Sequence, residues 1–300
     1  MIKVTNAMVD FIDRLPEGLI WKFAKRYIAG PALSDGMNTM SELYGQGMVS
    51  SMDILGENTE SNLDADLAYR EYLELIDGME KTGHPANISL KLTQLGLTID
   101  EHKCFTRVED IASKAWKKGF FFRLDMEDAT TTDQTLDLFR HLRTKSEKVG
   151  LVIQAYLKRS IDDVRKLTEE NKVNIRICKG IYKESPKIAY QDRQKVRDNF
   201  LDIMRVILDM GSYPAIATHD PFLIRGALKE IQRRQLLPEN YEFQMLHGVG
   251  FKFRRELLSD GHVLRIYVPF GAAWRAYSLR RFRENPTVAF YVVKNLILPS

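Results

Sequence analysis

Residues 120–158 read FFFRLDMEDATTTDQTLDLFRHLRTKSEKVGLVIQAYLK, and the order of elements in this segment indicates the fold class. Two apolar runs, at 120–128 and 149–158, flank a segment with the spacing of an amphipathic helix. Thr131 or Thr132 stands where a helix N-cap is expected, and Ser160 takes the same place before the next helical pattern. A strand, a helix and a second strand in this order predict neighbouring parallel strands.

The same unit repeats along the chain. Six more apolar runs predict strands at residues 47–56, 86–96, 173–182, 213–220, 241–250 and 262–271. Eight strands that alternate with helices predict an α/β protein with a (β/α)8 TIM-like barrel at residues 46–300. Residues 1–45 predict an extension of N-terminal helices. An open doubly wound sheet is the alternative, but it needs a GxGxxG fingerprint, which the sequence lacks.

Composition limits the class of protein. The chain has 300 residues, of which 44% are hydrophobic, and this fits one large globular domain. Two cysteines, Cys104 and Cys178, cannot form a disulfide framework, and the six histidines lack metal-ligand spacing. We therefore expect no metal site. The sequence contains no run of 18 apolar residues, so we expect no transmembrane helix.

Positive charge is concentrated towards the C-terminus. Residues 251–300 contain nine lysines and arginines and three acidic residues, whereas the whole chain has a net charge of only +4. This segment suits an anionic ligand or an anionic membrane surface. Basic residues are not interleaved with aromatic residues in a stripe, so nucleic-acid binding is not expected.

Polar residues gather at the predicted strand ends, where barrel enzymes have their active sites. They are Lys91, Asp125, Glu127, Gln154, Arg176, Lys179, Thr218, His219 and Asp220. Asp125 lies inside an apolar run, and Lys91 on the adjacent strand is its natural partner. The alternatives are a purely structural Lys91–Asp125 salt bridge and an Arg176 that pairs with Glu127 inside the barrel.

A second cluster of charge lies in residues 267–286, YVPFGAAWRAYSLRRFRENP. Arg280 and Arg281 are adjacent, and the planar fork of a guanidinium suits a carboxylate or a phosphate. Tyr277 stands three residues before Arg280, on the same face of a predicted helix. The pair could hold the carboxylate of a ligand beneath an aromatic side chain. The alternative is a solvated basic helix end.

Seven segments together resemble the proline dehydrogenase family, in order over residues 45–290. They are SLKLTQLG (89–96), RLDMEDA (123–129), VIQAYLKRS (152–160), NIRICKGIYKE (174–184), ATHDP (217–221), FQMLHGVG (243–250) and residues 267–286. The resemblance implies an FAD enzyme that oxidises L-proline to Δ1-pyrroline-5-carboxylate and passes electrons to a membrane quinone. It also implies N-terminal helices before the barrel.

The resemblance implies a flavin site along strands three to six. It places Arg176 at the flavin N5 edge, Gln154 at the edge of the ring system and Met126 against the ring. Lys179, Gly180, Ile181, Thr218 and His219 are the further cofactor contacts that it implies. The family usually has alanine where Ile181 stands, so only a backbone contact is expected there. Core packing for Met126 and a general-base role for His219 are the alternatives.

The resemblance also implies a proline site. It places Lys91 near the substrate carboxylate, with Asp125 holding that lysine. Leu246 and Tyr267 would form the walls around the proline ring, and Arg280 and Arg281 would grip the carboxylate. Asp125 and Arg176 are the residues that we assign to catalysis.

Two other functions remain open at this stage. One is a related flavin barrel that oxidises hydroxyproline or another substrate, although Tyr277 would crowd a ring hydroxyl. The other is a catalytically silent barrel that binds a membrane or a protein partner. The sequence is compatible with a cytoplasmic protein and with peripheral contact at the inner face of the membrane.

Overall fold

A closed barrel of eight parallel strands organises the chain. The computed structural model describes residues 16–284, without the side chains of Leu19, Phe23 and residues 280–284. The strands are β1 (Val49–Ile54), β2 (Ala86–Leu90), β3 (Phe121–Leu124), β4 (Val149–Gln154), β5 (Asn174–Cys178), β6 (Tyr213–Ala217), β7 (Glu242–Leu246) and β8 (Leu264–Phe270). Each strand pairs with its successor, and β8 closes the barrel on β1. The predicted (β/α)8 barrel is confirmed, and the open sheet is excluded.

A helix follows every strand. The helices are α1 (Glu17–Ala24), α2 (Leu33–Gly45), α3 (Asn62–Thr82), α4 (Glu101–Lys117), α5 (Thr132–Arg143), α6 (Ser160–Glu170), α7 (Arg193–Asp209), α8 (Pro221–Arg234), α9 (Phe251–Ser259) and α10 (Trp274–Glu284). Helices α1 and α2 precede the barrel, and α3 to α10 follow β1 to β8 in turn. Short 3₁₀ turns at Thr93–Leu95 and Pro238–Asn240 interrupt two of the loops.

The alternation of side chains along each strand separates an apolar layer from a polar interior. Met52, Ile88 and Phe122 are fully buried in the apolar core, which the helices also line. The alternate positions face the inside of the barrel, because Arg176 of β5 reaches Ser51 of β1 across it. Branched apolar side chains usually fill such a barrel. Here hydrogen-bonded polar side chains occupy much of that space.

Several observed strands are shorter than the apolar runs that predicted them. The run at 86–96 ends as a strand at Leu90, whose carbonyl accepts a hydrogen bond from Asp125 N. The chain then turns through Thr93–Leu95, and Gly96 takes a left-handed conformation with a φ of 88°. Leu92 and Leu95 beyond the strand are fully buried in the apolar core, so hydrophobicity alone does not mark the strand end.

One of the two predicted helix caps is wrong. Ser160 is the first residue of α6, and its hydroxyl donates a hydrogen bond to the Gln154 carbonyl. Thr131 does occupy the N-cap position of α5, but its hydroxyl donates to the Asp128 carbonyl and does not cap the helix. Both hydroxyls therefore stabilise the strand-to-helix loops.

The segment before the barrel packs against the end where the strands terminate. Ala29 N donates to the Pro269 carbonyl, and Gly271 N donates to the Gly30 carbonyl. Gly248, with a φ of +72°, lies so close to this segment that a Cβ atom there would stand 1.6 Å from the Arg26 carbonyl oxygen. Residues 1–15 of the predicted N-terminal helices lie outside the described residues.

Candidate active site

A cavity of about 450 Å³ opens at the carboxyl ends of the strands. Every predicted site residue whose side chain is described lines it. These residues are Lys91, Asp125, Met126, Gln154, Arg176, Lys179, Gly180, Ile181, Thr218, His219, Leu246, Tyr267 and Tyr277. The helix that carries Arg280 and Arg281 is described, but their side chains lie outside the described residues. The barrel thus brings together residues that are up to 186 positions apart, from 91 to 277.

Asp125 is the centre of a hydrogen-bond network on the cavity floor. Its Oδ1 accepts from Ser89 Oγ at 2.6 Å and from Arg176 Nη1 at 2.8 Å. Its Oδ2 accepts from the Tyr267 hydroxyl at 2.8 Å. Burial alone would raise the pKa of Asp125, but Arg176 and Lys91 hold that pKa below its ordinary value. The Asp125 carboxylate is therefore ionised at neutral pH.

Arg176 ties four strands together from inside the barrel. Its Nε donates to Gln244 Oε1 at 2.6 Å, and its Nη2 donates to Ser51 Oγ at 3.1 Å. Its Nη1 reaches Asp125 and Ser89. The guanidinium is thus fixed in position and orientation. The partner that the sequence offered as an alternative, Glu127, instead accepts hydrogen bonds from the amide and the hydroxyl of Thr93.

Lys91 has a closer carboxylate than the predicted one. Its Nζ lies 3.0 Å and 3.2 Å from the two carboxylate oxygens of Asp53, and 3.9 Å from Asp125 Oδ2. Asp53, near the end of β1, is fully buried. Burial alone would lower the pKa of Lys91, but Asp53 and Asp125 raise it above its ordinary value. Lys91 is therefore an ammonium at neutral pH.

Sequence reasoning missed Asp53, although the signal was present. A carboxylate within the apolar run SMDIL is the same pattern that singled out Asp125. Ser51, Ser89 and Gln244 were missed as well. They are small or neutral polar residues at alternate strand positions, and such residues are common in any strand. Only the closed barrel shows that all of them meet Arg176 or Asp125.

The opposite side of the cavity combines amide, cationic and apolar groups. Gln154 is buried, and its Nε2 donates to the Glu127 carbonyl at 2.6 Å. Gly180 has a φ of +98°, and a Cβ atom there would lie 2.0 Å from the Tyr156 ring. Any side chain at this position would push the loop away from Tyr156. Ile181 beside it is exposed.

Three cations share one carboxylate at the rim of the cavity. Asp220 lies 2.9 Å from Arg197, 3.4 Å from Lys179 and 3.7 Å from Arg193. Its carboxylate also caps the N-terminus of α8, because Oδ1 accepts a hydrogen bond from Phe222 N. Although burial opposes ionisation, the bond to Arg197 lowers the pKa of Asp220 to about 2. Positive charge therefore exceeds negative charge in this cluster.

His219 is held as a neutral imidazole. Its Nε2 accepts a hydrogen bond from the Leu246 amide at 3.0 Å. Burial, with Arg254 and Lys179 nearby, lowers the pKa of His219 to about 4. Its neighbour Thr218 is buried, and the Thr218 hydroxyl accepts from Asp220 N. These contacts fix the β6 end and place the ring of His219 at the cavity wall.

Within residues 16–284, no three His, Cys, Asp or Glu side chains are grouped so that they could hold a metal ion. In the same range, no helix has both the length and the apolar character that are needed to cross a membrane.

Known proteins are similar to this chain in sequence. The sequence model of the family described as proline dehydrogenase matches residues 36–292. Proline dehydrogenase 1 of Bacillus subtilis (strain 168) is 34% identical over 274 residues, which cover 91% of this chain and 90% of that protein. The proline dehydrogenase of Deinococcus radiodurans is 32% identical over 291 residues, which cover 95% of this chain and 94% of that protein.

A solved structure shows the same barrel within a larger protein. Proline utilization A from Bdellovibrio bacteriovorus, inactivated by N-propargylglycine, aligns with a TM-score of 0.81 at 24% identity. The alignment covers 87% of this chain and 32% of that protein, so this chain spans about a third of its length. At this identity the likeness shows the fold alone.

Proposed function

Because the chain belongs to the proline dehydrogenase family of oxidoreductases, we propose that it oxidises L-proline to Δ1-pyrroline-5-carboxylate with FAD. The electrons then pass to a membrane quinone, in the first step of proline catabolism to glutamate. The observation that supports this best is the buried ion network on the cavity floor, formed by Asp53, Lys91, Asp125 and Arg176. It offers a fixed cation pair to an anionic substrate and to a cofactor that gains negative charge when it is reduced.

The residues present fit a flavin. The faces of the ring system need apolar walls, which Met126 and Val152 supply. Its edge needs hydrogen-bonding groups and positive charge, which Gln154 and Arg176 supply. Lys179, Gly180, Ile181, Thr218 and His219 complete the proposed cofactor contacts. The surplus of cations around Asp220 suits the two phosphates of FAD.

A flavin held by these residues would supply the oxidant for the hydride, two electrons and one proton, that leaves C5 of proline. Proline is protonated at neutral pH, so its ammonium proton must leave to solvent before the C5–H bond breaks. The nitrogen lone pair then forms the C5=N bond of a protonated imine, and loss of its N–H proton to solvent gives the product. Arg176 provides fixed positive charge beside the site that accepts electrons, and the Asp125 carboxylate holds Arg176 in place.

The substrate would be oriented by its carboxylate. Lys91 lines the cavity as a charged ammonium, and Arg280 and Arg281 are proposed to complete the carboxylate site from α10. Leu246 and Tyr267 form walls of the cavity, and Tyr277 enters it from α10. Fixing the carboxylate would align C5 with the cofactor, which is catalysis by orientation.

The contacts and the lowered pKa of His219 favour a role in positioning the cofactor over a role as a general base. A general base needs a free nitrogen and a pKa near the operating pH. The Nε2 atom of His219 already accepts from Leu246 N, and the pKa of the ring is lowered to about 4. We therefore propose that His219 contacts the cofactor.

The domain organisation follows the same proposal. We propose an N-terminal helical extension at residues 1–45 and a catalytic barrel at residues 46–300, of which residues 16–284 are described. The described part of this extension ends with α2 at Gly45, and β1 begins at Val49. The basic segment 251–300 would contact an anionic membrane peripherally, from the cytoplasmic side, where quinone is reduced.

An absorption spectrum tests the function directly. The purified protein should show the visible bands of oxidised FAD, and anaerobic L-proline should bleach them. A quinone analogue should restore the bands, whereas NAD should not. Pyrrolidine, which lacks the carboxylate, is the matched control and should bleach them far more slowly.

A protein without flavin, or a flavin that proline cannot reduce, would favour the silent barrel. Faster bleaching by hydroxyproline would favour the related flavin enzyme.

A further inference from the structure

Asp53 has no direct access to the cavity, yet it contacts a residue that lines it. Both of its carboxylate oxygens lie within 3.2 Å of Lys91 Nζ. Asp53 is fully buried and does not line the cavity, whereas Lys91 does. Any effect of Asp53 on a ligand must therefore pass through Lys91 or through the neighbouring network.

We propose that Asp53 is a positioning residue that holds the Lys91 ammonium apart from Asp125 and turned towards the substrate carboxylate. This inference rests on the proposed function, because it assumes that Lys91 binds the carboxylate of proline. Asp53 lies on β1 and is not among the site residues predicted from the sequence.

The arrangement of Tyr267 explains why Lys91 needs to be held. The Tyr267 hydroxyl donates to Asp125 Oδ2 at 2.8 Å and accepts from Lys91 Nζ at 3.4 Å, so it lies between the two charges. Lys91 and Asp125 are only 3.9 Å apart. If the Asp53 charge were absent, Asp125 would be the nearest anion, and Lys91 would move towards it. Such a direct ion pair would weaken the bond of Tyr267 to Asp125 and move the ammonium away from the position proposed to bind the carboxylate of proline.

A purely structural role does not account for this pair. Two buried charges cost desolvation energy, and apolar residues of similar volume usually stabilise a core at least as well. The charges are retained beside a cavity, where the ammonium can act on a ligand. Asp53 also keeps Lys91 protonated, because it contributes the largest favourable charge interaction that raises the pKa of Lys91 against burial.

The pH dependence of ligand binding follows from the groups around Lys91. The titratable and charged groups that face it are Asp53 on β1, Asp125 and Glu127 after β3, Arg176 on β5 and Tyr267 on β8. Burial and Asp125 raise the pKa of Tyr267 well above its ordinary value. Replacing Asp53 by a neutral residue lowers the pKa of Lys91. Carboxylate binding is then lost at a lower pH.

The test uses Asp53→Asn, Lys91→Met and the double variant in the flavin-loaded enzyme. Tetrahydro-2-furoate is the probe, because it has the proline carboxylate but no titrating amine. We expect Asp53→Asn to raise its inhibition constant about 10- to 100-fold, which is less than the usual loss for a buried charge that contacts the ligand directly. The loss of binding at high pH should move down by about one pH unit or more. In the Lys91→Met background, Asp53→Asn should change the inhibition constant less than about twofold.

Matched variants separate positioning from stability. Asp163→Asn removes another buried carboxylate, which lies on the outer helix α6 and pairs with Arg159 just before that helix. It should leave the inhibition constant and its pH dependence unchanged. Asp53→Glu keeps the charge but lengthens the side chain, so it should weaken binding while retaining the wild-type pH dependence. Asp53→Glu thus still tests the inference if Asp53→Asn does not fold.

The outcomes distinguish this inference from the proposed function. If the wild type neither oxidises proline nor binds tetrahydro-2-furoate, both are overturned. If the wild type does both, the inference alone is overturned by an Asp53→Asn variant with normal binding and pH dependence. An Asp53→Asn effect of equal size in the Lys91→Met background overturns it too, because Asp53 would then act without Lys91.

Discussion

At the scale of the residue, Asp125 has the most connections in the cavity. It accepts hydrogen bonds from Ser89, Arg176 and Tyr267, and it lies 3.9 Å from Lys91. A carboxylate with so many donors sets the orientation of each of them. Its charge also compensates the buried guanidinium of Arg176, which has no other carboxylate partner among the described salt bridges.

Asp125→Asn should abolish most of the proline oxidation while the flavin remains bound. The amide keeps the size of the side chain but leaves the buried Arg176 charge uncompensated, which typically costs about 3–5 kcal/mol. If about 3 kcal/mol of this appears in the transition state, kcat/KM falls by roughly 100-fold. Steady-state kinetics and the ratio of flavin to protein absorbance measure both quantities. Full activity, or loss of the flavin, would show that Asp125 has a different role.

At the scale of the element, α10 depends on the helix that precedes the barrel. The ring centroids of Trp21 on α1 and Trp274 on α10 are 4.9 Å apart, with an edge-to-face angle of 68°. Trp274 is buried, and Tyr277 one turn later lines the cavity. The position of α10 over the site is therefore set partly by α1, which lies more than 250 residues away in sequence.

Trp21→Ala should weaken proline binding without unfolding the barrel. An aromatic pair of this geometry contributes about 0.5–1.5 kcal/mol beyond its buried area, so we expect KM for proline to rise roughly 3- to 10-fold. Circular dichroism should show unchanged secondary structure. Tyr44→Ala is the control, because Tyr44 on α2 stacks on His84, away from α10. Equal increases in KM for the two variants would argue against a specific role of α1.

At the scale of the whole molecule, a neutral, partly buried histidine makes stability depend on pH. The pKa of His219 is lowered from 6.5 to about 4, so the unfolded chain binds this proton at a higher pH than the folded protein does. The stability that depends on neutral His219 is complete above pH 6.5 and is lost as the pH falls towards 4. Asp53 and Glu127 act in the opposite direction, because burial raises the pKa of each.

The contribution of His219 can be isolated by comparing the wild type with His219→Gln. Between pH 7 and pH 5, the wild-type apoprotein should lose roughly 1–2 kcal/mol more unfolding free energy than the variant. Urea unfolding at the two pH values measures this difference, and its sign does not depend on the carboxylates that both proteins share. An identical pH dependence of the two proteins would mean that folding does not lower the pKa of His219.

The sequence by itself determined the fold of this protein. Apolar runs mark all eight strands, because each strand packs one face on the helices, and amphipathic patterns mark the helices between them. Strand ends were less certain, since Leu92 and Leu95 beyond β2 are as buried as the strand itself. The polar residues at those ends also indicated which end of the barrel carries the site, because parallel strands end together.

Only the tertiary structure decided which charges meet. The sequence paired Lys91 with Asp125, whereas the closed barrel places Asp53 closer, since β1 also lies beside β2. The sequence suggested Glu127 as an alternative partner of Arg176. In the structure Arg176 instead forms hydrogen bonds with Asp125, Ser51 and Gln244 across the interior of the barrel. The physical reason is that a hydrophobic pattern depends on neighbours in sequence. An ion pair depends on distances of a few ångströms between side chains that only barrel closure brings together.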